Sequence, residues 1–593
     1  RGETALFLGG ANMIADDMIS FVKYDLRTYG TMVLLLLIFF MWLVFRQWRF
    51  ILIPIMILLL SVVATTGFLG LFGWEVTVVS SNFISLQMII TMSLIIHLIV
   101  RYRELLQTRP DAPHREIVLE AAVSMFKPCF YVVITTIAGF SSLVACDILP
   151  VINLGWMMSA GVAISLAIAF LVFPAVMMLL KKRPPDIFFE SRFVLTKRLG
   201  RWTERFGKTI LAVSAAVLLF SISGAALLIV ENSFIDYFKK STEIYQGMKV
   251  IDRQLGGTTP LDIIIDFPQE SSELPASSDT DEEADEFDDF EAEFESIEHE
   301  EQYWFTSGKM NEIEKIHDYL DALPEVGKVL SFATTLKVGR EINQGKDLDN
   351  LDLALFYNEL PEQYKKILLQ PYLSLENNQA RFTLRIIDSM KDLRRDELLK
   401  RIKRELHEKV GVPAENIRLA SMMVMYNNML QSLFNSQIMT LGIVLVILST
   451  MFLILFRSLK IALIATVANV IPVGGVLGFM GWAGIPLDMM TITIAAISLG
   501  IAVDDTIHYL HRFKIEVAKD GDYIAAMHRS HASIGYAMYY TSVAIMIGFS
   551  VLVLSNFVPT IYFGLLTMLA MFMAIVADLL LLPKLILLIR PFR

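Results

Sequence analysis

The sequence predicts a polytopic α-helical membrane protein with a parallel internal repeat, carrying one α+β domain outside the bilayer. Three observations predict it. Eleven apolar runs have spanning length, Lys and Arg crowd alternate loops, and a constant offset relates two blocks of these runs. Composition agrees, with 55% hydrophobic and only 19% charged residues, against about a quarter charged in soluble domains. Such a chain is a poor candidate for a soluble enzyme, a disordered scaffold or a nucleic-acid binder.

A spanning helix needs about 20 mostly apolar residues. In order, such runs fall near 30–45, 50–71, 78–100, 128–147, 153–180, 209–230, 438–456, 461–483, 489–511, 535–556 and 561–589. Solid runs exclude a β-barrel, whose strands alternate. Basic residues cluster after the first run (Arg46, Arg49), after the third (Arg101, Arg103, Arg109) and throughout 181–208, and recur at Arg457, Lys460, Arg512, Lys514 and Arg590. The loops 72–77, 148–152, 484–488 and 557–560 carry neither Lys nor Arg. By the positive-inside rule, the linker 181–208 and the C-terminus are cytoplasmic, and 231–436 lies across the membrane.

The two groups of five runs repeat each other. A shift of 411 carries Phe45-Arg46 onto Phe456-Arg457, Gly73 onto Gly484, His97 onto His508 and Arg101 onto Arg512. A shift of 409 then carries Gly139-Phe140-Ser141 onto Gly548-Phe549-Ser550 and Pro150 onto Pro559. The extra run at 209–230 restores the orientation, so the repeat is parallel, a known transporter arrangement. The domains expected are 1–29, the tail of a first external domain; 30–180, a first block of five spans; 181–208, a linker; 209–230, a single span; 231–436, the external domain; and 437–593, a second block. By the same symmetry, a first span and most of a first external domain are expected to precede Arg1.

Within 231–436 the periodicity changes. Strands are expected at 261–267, 327–332, 380–388 and 416–420, and amphipathic helices at 309–323 and 394–410. That βαββαβ order is the split motif of ferredoxin-like domains. The segment 270–301 holds sixteen acidic residues and no Lys or Arg, and reads as a solvated insertion. Removing those sixteen charges from the net −10 of the chain leaves +6, so the acidity belongs to one loop. Cys129 and Cys146 would lie roughly 25 Å apart on one continuous helix, too far for a disulfide.

The most informative stretch is 498–512, SLGIAVDDTIHYLHR. Asp504 and Asp505 sit together in an apolar span, where ionisable groups are expensive and mark an ion or proton pathway by default. Adjacent carboxylates out of water repel and titrate as a coupled pair. Gly500, Asp504, His508 and His511 share one helical stripe, and Gly500 admits a neighbouring helix closely. The first copy has Ser93-Leu94 at the doublet and keeps His97, which faces the doublet if the third spans of the two blocks are neighbours. Tyr540 and Thr541 are hydroxyl candidates, and Asp578 is a further intramembrane acid. No P-loop, no Cys/His metal spacing and no nucleophile elbow occurs, so neither cofactor nor metal is expected and energy has to come from an ion gradient or a partner.

The G-x-x-x-D-D of Gly500–Asp505, the repeated blocks of spans and the ferredoxin-like domain resemble the resistance-nodulation-division (RND) superfamily. GIAVDDTIHYLHRF and its counterpart ITMSLIIHLIVRY look most like its MMPL-type exporters. The resemblance covers nearly the whole chain. It implies twelve spans, two external porter domains, and proton-driven export of hydrophobic or lipid-like molecules from a bacterial inner membrane, with Asp504 and Asp505 accepting protons. A periplasmic accessory protein and an oligomer are compatible with it. Ser93-Leu94 departs from relatives that carry an acid there and favours a single relay. Two other readings stay open: a SecD/SecF-like protein-export auxiliary and a Patched-like sterol or lipid receptor.

Overall fold

The computed structural model describes residues 9–184, 195–230, 233–267, 304–346, 348, 350–390 and 393–592. The acidic insertion 270–301 lies outside the described residues, as does the start of the expected remnant 1–29. Among the described residues, 11 helices are long and apolar enough to cross a membrane.

The first block comprises α1 (Ala11–Phe45), α2 (Arg49–Leu71), α3 (Phe83–Thr108), α4 (His114–Ser141) and α5 (Leu149–Leu179), followed by α6 (Leu195–Arg205) and α7 (Gly207–Ala225). Residues 11–29 are therefore helical and continuous with the first span. The apolar run marks only the hydrocarbon part of a helix, because polar residues extend it beyond the bilayer without breaking the i→i−4 ladder. For the same reason α4 begins well before the run at 128–147.

The region between the two blocks follows as α8 (Glu243–Gln254), β1 (Thr259–Asp266), α9 (Ser307–Asp321), β2 (Val326–Leu330), α10 (Phe332–Ile342), α11 (Asn350–Glu359), α12 (Glu362–Leu368), β3 (Leu373–Ser374), β4 (Gln379–Ile386), α13 (Arg395–Glu405) and β5 (Ile417–Ala420). The strands pair antiparallel in the order β2-β4-β1-β5, with β3 beside β4. Leaving out the two-residue β3, this is the predicted split motif. Leu261, Ile263 and Ile265 of β1 alternate inward with Phe382, Leu384 and Ile386 of β4, against Ile313, Ile316 and Leu320 of α9 and Ile402 of α13. Helix α13 ends sooner than expected, passing into a π turn at Leu406–Val410 that Gly411 closes with a φ of 95°.

The second block comprises α14 (Met422–Phe456), α15 (Leu459–Ala483), α16 (Thr491–Asp520), α17 (Tyr523–Ser550), α18 (Val558–Val576) and α19 (Leu582–Ile589). The last expected span, 561–589, is interrupted by a π turn at Ala577–Leu581. The repeat extends to the backbone. Arg46 and Arg457 take left-handed φ angles of 52° and 51°, and Gly73 and Gly484 take 65° and 63°. Pro150 and Pro559 both stand in the first turn of a helix, α5 and α18, where a missing N–H costs nothing.

The chain divides into two compact units. One holds residues 1–13, 233–235 and 240–429, with the sheet; the other holds 14–232, 236–239 and 430–593, with the apolar helices.

Candidate functional site

Helix α16 is buried along its most apolar stretch, so its polar side chains must find partners within the bundle. A close glycine contact draws α4 against it. A Cβ on Gly139 would stand 2.9 Å from the Gly500 Cα and 3.0 Å from the Ala496 carbonyl oxygen, and Thr136 Oγ1 donates to the Gly500 carbonyl at 3.1 Å. The repeat-related pair is Gly548 with Ile89, where a Cβ on Gly548 would stand 2.4 Å from Ile89 Cγ1.

One turn from Gly500 lies Asp504, buried. Ser93 Oγ of α3 donates to its Oδ2 at 2.8 Å. His97 Nε2 of α3 and His508 Nε2 of α16 lie 3.5 and 3.3 Å from its Oδ1. The two imidazoles stack, with centroids 3.9 Å apart and planes 15° from parallel. Two of these contacts, Ser93 with Asp504 and His97 with His508, join repeat-related positions, each pair 411 apart. The pseudo-twofold relation between the blocks therefore brings Ser93, His97 and His508 together around Asp504.

Asp505 does not share this environment. Successive helical residues are turned by about 100°, and its carboxylate faces α17, where Ser542 Oγ donates to Oδ2 at 2.6 Å and Thr541 Oγ1 reaches Oδ1 at 3.3 Å. His508 contacts Asp504, its neighbour on the expected stripe. The doublet of the sequence is thus two separate sites back to back. Tyr540 is fully buried, with its ring edge-on to Phe45 at 5.9 Å.

Asp578, in the π turn after α18, accepts from Thr506 Oγ1 at 2.6 Å. Thr506 in turn accepts from Asn469 Nδ2 at 2.9 Å. The counterparts of these three residues in the first block are Leu58, Ile95 and Ala169, all buried and apolar. Those of Asp505, Thr541 and Ser542 are Leu94, Val132 and Val133. The second block carries two polar networks that the first replaces with hydrocarbon.

Ser542, Thr506 and Asn469 were not foreseen as partners. Ser, Thr and Asn are common in packed membrane helices, and one sequence does not tell which of them faces an acid. The His97–Asp504–His508 cluster follows the sequence reading, in which Asp504 and His508 share a stripe and His97 faces the doublet once the third spans of the two blocks are neighbours.

A cavity of about 330 Å³ ends on His97 and His508 and is walled by Arg101, Arg103, Glu104 and Arg512. Glu104 pairs with Arg101 at 2.7 Å and with Arg512 at 3.1 Å. A void of about 20 Å³ lies at the cluster itself, bordered by Ser93, His97, Cys129, Asp504 and His508. A third cavity, about 490 Å³ and almost wholly apolar, is lined by Phe206, Ile210, Val213, Ile471, Phe572 and Val576.

The sequence profile of the MMPL family matches residues 2–217 and 275–592. A putative membrane protein of Methanocaldococcus jannaschii is 24% identical over 282 residues, covering 46% of this chain and 70% of the relative. Among solved structures, SecDF from Thermus thermophilus, a translocon-associated membrane protein, superposes with a TM-score of 0.57 at 12% identity. The match takes in 96% of this chain but 62% of that one, and at this identity it concerns the fold. With a family profile spanning both blocks, the chain belongs to the MMPL family.

Proposed function

We propose that the chain is a proton-driven exporter of hydrophobic or lipid-like molecules, with Asp504 and Asp505 as its proton-accepting residues. The observation that carries this reading is the buried Asp504 carboxylate, held by Ser93 and His97 of one block and by His508 of the other. A charge at that point ties α3 to α16. Protonation removes it, weakens the pull on Ser93 and His97, and frees the blocks to shift against each other. Asp505, fixed by Ser542 and Thr541, takes the same role toward α17. By the positive-inside rule, Arg101 and Arg512 support a cytoplasmic position for their end of the bundle. The cavity there supports water access to the histidines, and hence an open path for the proton on that side.

The apolar cavity of about 490 Å³ has the size and lining of a site for a small hydrophobic ligand, which supports a lipid-like substrate. Likeness to a translocon-associated fold keeps a protein-export role as the second reading, and co-purification of a translocon would favour it.

The test is proton uptake in proteoliposomes under an imposed gradient. Asp504→Asn and Asp505→Asn are each expected to fall to the rate of protein-free vesicles. Unchanged coupled uptake in both variants overturns the reading.

A further inference from the structure

The cluster around Asp504 has a feature that proton transfer does not require. Oδ1 of Asp504, Nε2 of His508 and both ring nitrogens of His97 are buried without a hydrogen-bond partner. One donor atom from each of the three residues lies within 4.8 Å of the other two. Buried polar atoms are ordinarily satisfied, and unsatisfied atoms on three residues this close together ask for a shared partner.

We propose that His97, Asp504 and His508 form a site for a divalent transition-metal ion of the zinc class, which staples the two blocks together when loaded. The ligand types fit, since two imidazoles and a carboxylate are a common three-residue set for zinc, with the fourth position left to water. Imidazole also selects against Mg²⁺ and Ca²⁺, which take oxygen ligands. The spacing fits as well. Donors about 2.0–2.1 Å from a tetrahedral ion stand roughly 3.3–3.4 Å apart, and the Asp504 oxygen is 3.3 and 3.5 Å from the two imidazole nitrogens.

Space and access are also present. The void at the cluster, about 20 Å³, exceeds the roughly 10–15 Å³ that one water-sized occupant needs. The larger cavity reaches His97 and His508 from the Arg101–Arg512 end, and two of its guanidinium groups are already engaged by Glu104. Ser93, bonded to the other oxygen of Asp504 at 2.8 Å, orients the carboxylate so that Oδ1 faces the histidines. That is the supporting role that residues behind metal ligands usually play. With one ligand on α3 and two on α16, a bound ion spans both blocks and opposes their relative movement. Only this consequence for transport rests on the proton-driven reading; the site does not.

Full-length protein, purified in detergent and stripped with EDTA, is titrated with Co²⁺ and followed by visible absorption. One ion per chain is expected, with the intense bands of a four- or five-coordinate site. Affinity is expected to fall at least about ten-fold in His97→Asn and Asp504→Asn, while His528→Asn serves as an unaffected control. His508→Cys keeps a donor and is expected to add a sulfur-to-cobalt charge-transfer band, which also guards against variants lost to misfolding. No bound ion in the wild type, undiminished affinity in His97→Asn, or Co²⁺ bound by His508→Cys without that band overturns the site. In chelator-treated proteoliposomes, Zn²⁺ is expected to arrest proton uptake. Binding without arrest overturns the staple and leaves the site standing. Because Co²⁺ absorbance needs no gradient, failure of the metal site and failure of the proton relay give different results.

Discussion

Asp504 and Asp505 were visible in the sequence because a carboxylate in a span is conspicuous; what each of them does was not. Adjacent residues on a helix look in different directions, and two partners of Asp504, Ser93 and His97, arrive from more than 400 positions away. Asp578 was equally visible and equally undetermined. In the structure it closes a chain that runs from Asn469 through Thr506, the arrangement of an acceptor that organises its neighbours. Asp578→Asn keeps a carbonyl oxygen for Thr506 and is expected to leave proton uptake near wild type. Asp578→Leu strands the Thr506 hydroxyl and is expected to cost about 1–3 kcal/mol of stability, read as a lowered Tm in detergent. Loss of uptake in a well-folded Asp578→Asn would instead place this acid on the proton pathway.

Helix existence followed from apolar run length, and helix contacts followed from small residues. The run lengths missed the helix ends and the π turn at Ala577–Leu581, because hydropathy measures what touches lipid and not where hydrogen bonds continue. Gly500 was expected to admit a neighbour, and the neighbour is Gly139 of α4. A side chain at 139 has nowhere to go, since the obstacles are a backbone Cα at 2.9 Å and a carbonyl oxygen at 3.0 Å. Gly139→Val is therefore expected to push α4 off α16, costing about 1–3 kcal/mol and disturbing the Thr136 hydrogen bond beside Asp504. Gly67→Val on α2, where an added Cβ meets nothing within 4 Å, is the matched control. Equal melting temperatures for the two variants would show that the close approach carries no weight.

At the scale of the molecule, the constant offset was the most informative reading. It was legible because turn glycines, helix-start prolines and loop arginines recur wherever a backbone geometry recurs. The asymmetry between the blocks was legible only in part: Ser93-Leu94 announced it, but the apolar Leu58, Ile95 and Ala169 became meaningful once their counterparts Asn469, Thr506 and Asp578 were seen as one hydrogen-bonded chain. The unit that holds the sheet has its own apolar core, and one buried histidine within it makes its stability answer to pH. His317 sits on α9 against Ser331, with Nδ1 2.9 Å from the hydroxyl that also caps α10. Burial holds its pKa below the ordinary 6.5, and Lys337 adds to the effect. The folded unit therefore binds this proton less readily than the unfolded chain. No penalty arises above about pH 6.5, and stability is lost as pH falls below that value toward the depressed folded pKa. Hydrogen exchange on the full chain is expected to show protection in β1 and β4 falling between pH 7.5 and 5.5, beyond the change in intrinsic rate. Neutral, non-titrating His317→Asn is expected to flatten that slope while leaving α16 unaffected. A slope that persists unchanged in His317→Asn would assign the acid sensitivity to other groups of the sheet unit.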